Sequence, residues 1–217
     1  MVAEVLIPIR FYGYDTIIYF VSALIGFAIA YKAMKLHEIS GAKPHRFLYL
    51  AFTLLSVGML TLSATTAFTY LKYFQEHEFL AFNGLFDVAD FGYWIYFLSS
   101  MLAYILLIKT YSTKLSEKFA IGFLITSNYY VYFNILLLFL ISFVAFKTVA
   151  NYFSRKSADS ALVAAGFVLI ALYHGLQLFT FADKIVYVLA NISLVAGFLS
   201  LLIMLIRVNR YALKKSF

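Results

Sequence analysis

Apolar residues in this chain come in long unbroken blocks, without the alternation of a surface strand or the one-sided stripe of a soluble helix. The first clear block is Tyr14–Leu36, whose core TIIYFVSALIGFAIAY carries no charge over 16 residues. An α-helix rises 1.5 Å per residue and bilayer hydrocarbon is about 30 Å thick, so about 20 apolar residues suffice to cross it. On that measure Phe47–Leu71, Val88–Ser112, Val131–Phe153, Ala161–Phe181 and Ile185–Ile206 are further predicted spans. Lys32 and Lys35 close the first block, where long basic side chains can reach the headgroups. Pro8 and Pro44 are the only prolines and both lie outside the blocks, so no span is expected to kink at proline.

The polar residues inside the blocks predict how the helices meet. The second block carries Ser56, Thr61, Ser63, Thr65 and Thr66 with Gly58, residue types that let membrane helices approach closely and hydrogen-bond. Ser99 and Ser100 on the third block, and Ser193, Gly197 and Ser200 on the last, read the same way. Tyr93, Trp94 and Tyr96 open the third block and suggest an interfacial aromatic belt. The connection Lys72–Asp90 is acidic yet threaded with Phe and Leu, which predicts an interfacial amphipathic segment broken near Asn83–Gly84.

Two parts of the chain share a design. A shift of 115 residues carries Lys32 onto Lys147 and Phe52 onto Phe167, and a basic loop follows the first helix in both copies. A shift of 98 carries Ile108–Lys109 onto Ile206–Arg207. The reading is two three-helix units, 1–112 and 131–217, the first with an insertion over 72–90 and the second ending in a basic tail.

Between the units lies Ser112–Tyr130, STKLSEKFAIGFLITSNYY, and charge decides how it is read. If it does not cross, six spans leave 8 of the 17 Lys and Arg on the side of the first loop, no bias at all. If 113–130 crosses as a short linking helix, that side holds 14 of the 17. Short cytoplasmic loops are enriched in Lys and Arg, so the favoured fold is an all-α bundle of seven transmembrane helices, 3+1+3 with parallel repeats. It has an outer N-terminus and a cytoplasmic C-terminus at the cell membrane; six helices are the alternative. The linking stretch is short for a full crossing.

Composition agrees: 64% apolar, 12% charged, mean hydropathy +0.90, against about 45–50% and 25% for a soluble domain. The net charge of +7 belongs with cytoplasmic loops and anionic lipid, since no aromatic–basic patch for nucleic acid is present. Absence of cysteine excludes disulfides and thiolate chemistry. MVAEVLIPIRFYGYD lacks the basic start and cleavage site of a signal peptide, so the first span is expected to be retained.

The 3+1+3 layout resembles, in architecture alone, the sugar-efflux seven-helix transporters and microbial rhodopsins. A rhodopsin needs a lysine in the middle of its last helix, whereas here Lys184 stands at the mouth. The pair Tyr31-Lys32 … Arg46 … Leu50-Ala51-Phe52 and Phe146-Lys147 … Arg155-Lys156 … Ala165-Gly166-Phe167 is similar to a three-helix module of uncharacterised archaeal membrane proteins. That likeness implies an archaeal source and assigns no residue a role.

Candidate chemistry is sparse. His174 and Gln177 lie one turn apart in an apolar helix, either as a ligand-gripping or proton-relay pair or as neutral interhelical glue. Asn134 and Asn191 have the same two readings. Asp15, Asp87 and Asp90 flank the outer helix mouths as an acidic vestibule or as N-terminal caps. Glu76, His77, Glu78 and Asp87 are metal-binding types at spacings that point apart on a helix, and His37, His45 and His77 lie in loops, away from any second haem ligand for His174. Neither metal nor cofactor is expected. No nucleophile–base pair, phosphate-cradling loop or buried carboxylate pair stands out, so the chain is not read as an enzyme. The functional expectation is small-solute or ion permeation past His174, Gln177, Asn191 and Asn134 under the outer mouth, by a monomer or homo-oligomer in the bilayer. The rival is a sensory or scaffolding module that binds lipid or a cytoplasmic partner.

Overall fold

The computed structural model describes residues 12–76, 81–82, 86–111, 129–180 and 184–215. Six helices form: α1 (Tyr12–Ser40), α2 (Lys43–Glu76), α3 (Val88–Tyr111), α4 (Tyr129–Arg155), α5 (Ala158–Gln177) and α6 (Lys184–Lys215). Among the described residues these six are long and apolar enough to cross a membrane. Of the expected linking helix, 113–130, residues 113–128 lie outside the described residues, and Tyr129 and Tyr130 belong to α4. The connection after α2 differs from expectation: α2 runs on to Glu76, and Ala81–Phe82 (β1) pairs antiparallel with Phe86–Asp87 (β2). Residues 77–80 and 83–85 of the expected amphipathic segment are not described.

The helices pack as a closed ring in chain order, each against its neighbours, with α6 returning to α1. Outward faces are greasy: Ile17, Phe139, Phe146 and Ile192 are all more than half exposed. In water such a surface would drive aggregation; in lipid it costs nothing, which is why membrane bundles keep it. The protein is an integral multi-pass helical membrane protein on these grounds.

Inside the ring, small residues set the helix spacing. A Cβ on Gly197 of α6 would stand 2.9 Å from the Gly166 carbonyl of α5, and a Cβ on Gly58 of α2 would stand 2.9 Å from Ser99 of α3. The α1–α2 contact uses the polar line expected of it, with Ser63 donating to the Thr16 carbonyl (2.8 Å) and Thr16 meeting Thr66 (3.2 Å). Thr61 departs from that line: it is half exposed and donates to its own helix at the Val57 carbonyl.

Helix direction follows from the contacts. Phe97 near the start of α3 stacks on Phe133 near the start of α4, ring centres 3.6 Å apart, and Tyr93 lies 4.8 Å from Tyr130. The α3 and α4 starts therefore share one end of the bundle, and the two helices run parallel. At the other end Asn209, late in α6, donates to the carbonyl of Lys32, late in α1. Consequently α1, α3, α4 and α6 point one way and α2 and α5 the other. Both short basic loops, 41–42 and 156–157, lie at one end, called here the loop end.

The two loops are built alike. Gly41 (φ 64°) ends α1 with its N–H bonded to the His37 carbonyl, and Lys156 (φ 47°) ends α4 with its N–H bonded to the Tyr152 carbonyl. Each is a left-handed cap that satisfies a terminal carbonyl. Pro44 then sits in the first turn of α2, where its missing N–H is harmless. Ser157 caps α5 through a reciprocal box with Ser160. The caps, the α1 and α4 ends (Ser40, Arg155) and the α2 and α5 starts (Lys43, Ala158) all differ by the same 115 residues.

Candidate functional site

Polar side chains in the ring interior concentrate in the half away from the loops. Membrane helices gain little from such groups unless they are bonded to one another, so each has to be accounted for. His174 of α5 is fully buried, and its ring bridges three helices. Its Nε2 lies 2.8 Å from the Tyr104 hydroxyl of α3, and its Nδ1 lies 3.2 Å from Asn134 Oδ1 of α4. A neutral ring with its proton on Nδ1 satisfies both, donating to the amide oxygen and accepting the phenol proton. Asn134 in turn donates to the Tyr93 hydroxyl (3.0 Å) and to the Tyr130 carbonyl (3.0 Å). The imidazole meets Tyr173 and Tyr104 edge-on, at 4.8 and 5.6 Å. Of the two readings of His174, this geometry is that of a lock joining α3, α4 and α5.

Gln177, one turn on, accepts from the Tyr130 hydroxyl at 2.8 Å, while its Nε2 has no partner among the described residues. Asn191 on α6 donates to the Tyr187 carbonyl of its own helix, leaving Oδ1 unpaired at full burial. Asp15 departs furthest from expectation. It lies in the first turn of α1, yet it neither lines an open mouth nor caps the helix. It is 0% exposed, and neither carboxylate oxygen accepts a hydrogen bond among the described residues. Burying an ionised carboxylate alone costs several kcal/mol, so this acid needs a proton, a cation or a donor beside it. Asp90 is half-buried at the start of α3, and the side chain of Asp87 lies outside the described residues.

Sequence reasoning missed most of the tyrosines. Tyr96, expected in an interfacial aromatic belt, is 1% exposed, its ring centre 6.3 Å from Tyr19 and 6.2 Å from Tyr93. Its hydroxyl faces Tyr173 and Ser100 without good bonding geometry to either. Ser22 and Ser100 are likewise buried with unpaired hydroxyls. A signal was present on α1, where Asp15, Tyr19 and Ser22 follow the i, i+4, i+7 spacing of one helix face. No such face reading was made for the tyrosines, because an aromatic residue at a helix start suits a membrane interface equally well.

At the loop end the interior opens. A cavity of about 660 Å³ is lined by all six helices, among them Leu36, His45, Tyr111, Asn151, Arg155 and Met204. One wall is tied by Arg207 to Asp159 at 3.1 Å. Cavity and unpaired polar groups do not coincide, but α3 connects them. Tyr104, bonded to His174, and Tyr111, in the cavity wall, lie seven residues apart on one helix face, about 10 Å along the axis. Above, the Phe97–Phe133 stack with Trp94 edge-on at 4.7 Å makes an aromatic plug at the far end.

No family model, curated protein or solved structure matches the chain. Its chemistry is therefore read from geometry alone. Among the described residues no group of three or more His, Cys, Asp or Glu is placed to hold a metal ion. The Glu76, His77, Glu78 and Asp87 side chains lie outside those residues.

Proposed function

We propose that this protein passes a small solute or ion through the bilayer along the interface between its two three-helix units. One observation carries the reading: a buried polar seam from Asp15 through Tyr19, Tyr96 and Ser100 to Tyr104 and His174, with the 660 Å³ loop-end cavity beyond the buried Leu107 and Ile108 on the same helix. A bundle that only had to pack would fill this interior with apolar side chains, because each unpaired buried polar group costs about 1–3 kcal/mol. Closed by aromatic rings at one end and open at the other, the arrangement is that of one access state of a permeation path.

On this reading the chain crosses seven times, with the loop end cytoplasmic and the N-terminus outside. Support comes from the parallel run of α3 and α4. Tyr111 ends α3 at the loop end and Tyr129 begins α4 at the far end, which is the arrangement a seventh crossing would need. Residues 112–128 suffice: 17 residues as a helix reach about 26 Å, near the thickness of bilayer hydrocarbon. The equal spacing of caps and helix ends supports a duplicated three-helix unit. Solute uptake into liposomes, followed over a panel of polyols, sugars, amino acids and salts, tests the function. Phe133→Ala should thin the plug and raise the flux of at least one solute. Zero flux from both wild type and variant across the panel sinks the reading, and co-purification of one soluble protein would favour the scaffolding alternative.

A further inference from the structure

Among the described residues, buried seam groups without a hydrogen-bond partner are mostly oxygens: Asp15 Oδ1 and Oδ2, Ser22 Oγ, Tyr96 Oη, Ser100 Oγ and Asn191 Oδ1, with Gln177 Nε2 a nitrogen. Asp15 is also the only Asp, Glu, Lys or Arg among the buried described residues. Hydroxyl, amide and carboxylate oxygens replace the hydration shell of a cation, whereas a site for an anion needs donors and positive charge. Tyrosine faces add to this. Tyr19, Tyr93, Tyr96 and Tyr130 follow one another at centroid separations of 6.3, 6.2 and 4.8 Å. The negative face of a phenol ring attracts a cation brought close to it.

Charge number narrows the class. One carboxylate balances a single positive charge, while divalent ions are held by several carboxylates or keep much of their water. We propose that Asp15, at the head of the α1 face it shares with Tyr19 and Ser22, binds a small monovalent cation, an alkali-metal ion or a protonated amine, at the closed end of the seam. The proposal rests on the permeation reading for its place on a path, but binding does not require passage.

The test uses the full chain, purified in detergent. Thermal unfolding and titration calorimetry are run against sodium, potassium, ammonium and methylammonium chloride, with ionic strength held constant by bulky N-methylglucamine. At least one probe should raise the melting temperature saturably in wild type. Asp15→Asn should abolish the response, and Asp90→Asn should keep it. A response to sodium or potassium assigns the site to an alkali-metal ion, and one to the ammonium probes alone assigns it to a protonated amine. Equal behaviour of all probes and the background cation, or an Asp15→Asn response equal to wild type, overturns the proposal. If Asp15→Asn does not fold, the wild-type response measured against pH carries the test. Protons compete with a cation for one carboxylate, so the response should fade on acidification, and a response unchanged by pH overturns it. Saturable binding with no flux removes the permeation reading and leaves this one standing; neutral-solute flux with no cation response does the reverse.

Discussion

Replacing His174 by alanine measures how much of the unit interface depends on one side chain. The imidazole holds two interhelical bonds, to Tyr104 at 2.8 Å and to Asn134 at 3.2 Å. Its removal orphans a phenol donor and an amide acceptor, both buried. Interhelical hydrogen bonds in membranes average about 0.6 kcal/mol and reach about 1.7, because the dissociated helices find other partners. Taking about 1 kcal/mol for each gives about 2. Two edge-on ring contacts, to Tyr173 at 4.8 Å and Tyr104 at 5.6 Å, are also lost, and aromatic pairs contribute about 0.5–1.5 kcal/mol each. The expected destabilisation is therefore about 3–5 kcal/mol, read from reversible unfolding in mixed micelles. Tyr104→Phe removes only the hydroxyl and should cost about 1 kcal/mol, and the double variant should fall short of the sum by about 1 kcal/mol, since the two share a bond. A His174→Ala cost below about 0.5 kcal/mol, or full additivity with Tyr104→Phe, would refute the lock.

Three further outcomes follow from the same coordinates. Gly197→Ala places a methyl 2.9 Å from the Gly166 carbonyl and should cost about 1–3 kcal/mol. Gly175→Ala, whose nearest neighbour is Leu138 Cδ1 at 4.0 Å, should be neutral or gain up to about 1 kcal/mol; equal melting temperatures would contradict the close α5–α6 approach. Lys156 holds φ 47°, a region that costs a side chain about 1–2 kcal/mol, so Lys156→Gly should raise the unfolding free energy and Gly41→Ala lower it. A chain without cysteine allows single-cysteine labelling in sealed vesicles. Cysteines at Ser40 and Arg155 should react from the same side as each other, and reaction from opposite sides would falsify the parallel arrangement of the units.

The helices were legible in the sequence because lipid imposes one rule on every span: enough apolar length, with charges pushed to the ends. All six blocks appear, with the second running past its expected end at Leu71 to Glu76, since the helix continues beyond the hydrocarbon as long as its backbone can bond to itself. The buried site was legible only in part. His174, Gln177, Asn134 and Asn191 stood out as polar residues in apolar surroundings. Tyr96, Tyr104 and Tyr173 did not, because a tyrosine is amphipathic and its sequence neighbours do not reveal whether its hydroxyl meets headgroups or another helix. Asp15 was misread for a related reason. An acid in a first helical turn is favoured by the helix dipole wherever that turn lies, and only the packing of α1 inside the ring shows that water is excluded from it.

The 115-residue relation sharpens why the seam lies where it does. It sets Asp15 on Tyr130, Tyr19 on Asn134, Met59 on His174 and Leu62 on Gln177, and the 98-residue relation sets Tyr93 on Asn191. Met59 and Leu62 are as deeply buried as the His174 and Gln177 they correspond to. The positions are alike in both units, and the chemistry differs: aliphatic on α2, polar on α5; acidic at the head of α1, phenolic at the head of α4. On the proposed duplication, two copies of one sequence would carry the same chemistry at each matching place. Instead Asp15 has no acidic counterpart: the matching position holds Tyr130, whose hydroxyl donates to Gln177, and the position matching Tyr19 holds Asn134, which bonds the histidine. That asymmetry leaves one acid at the head of α1 and puts the hydrogen-bonded lock on α4 and α5, so the interior is not symmetric between the two sets of helices.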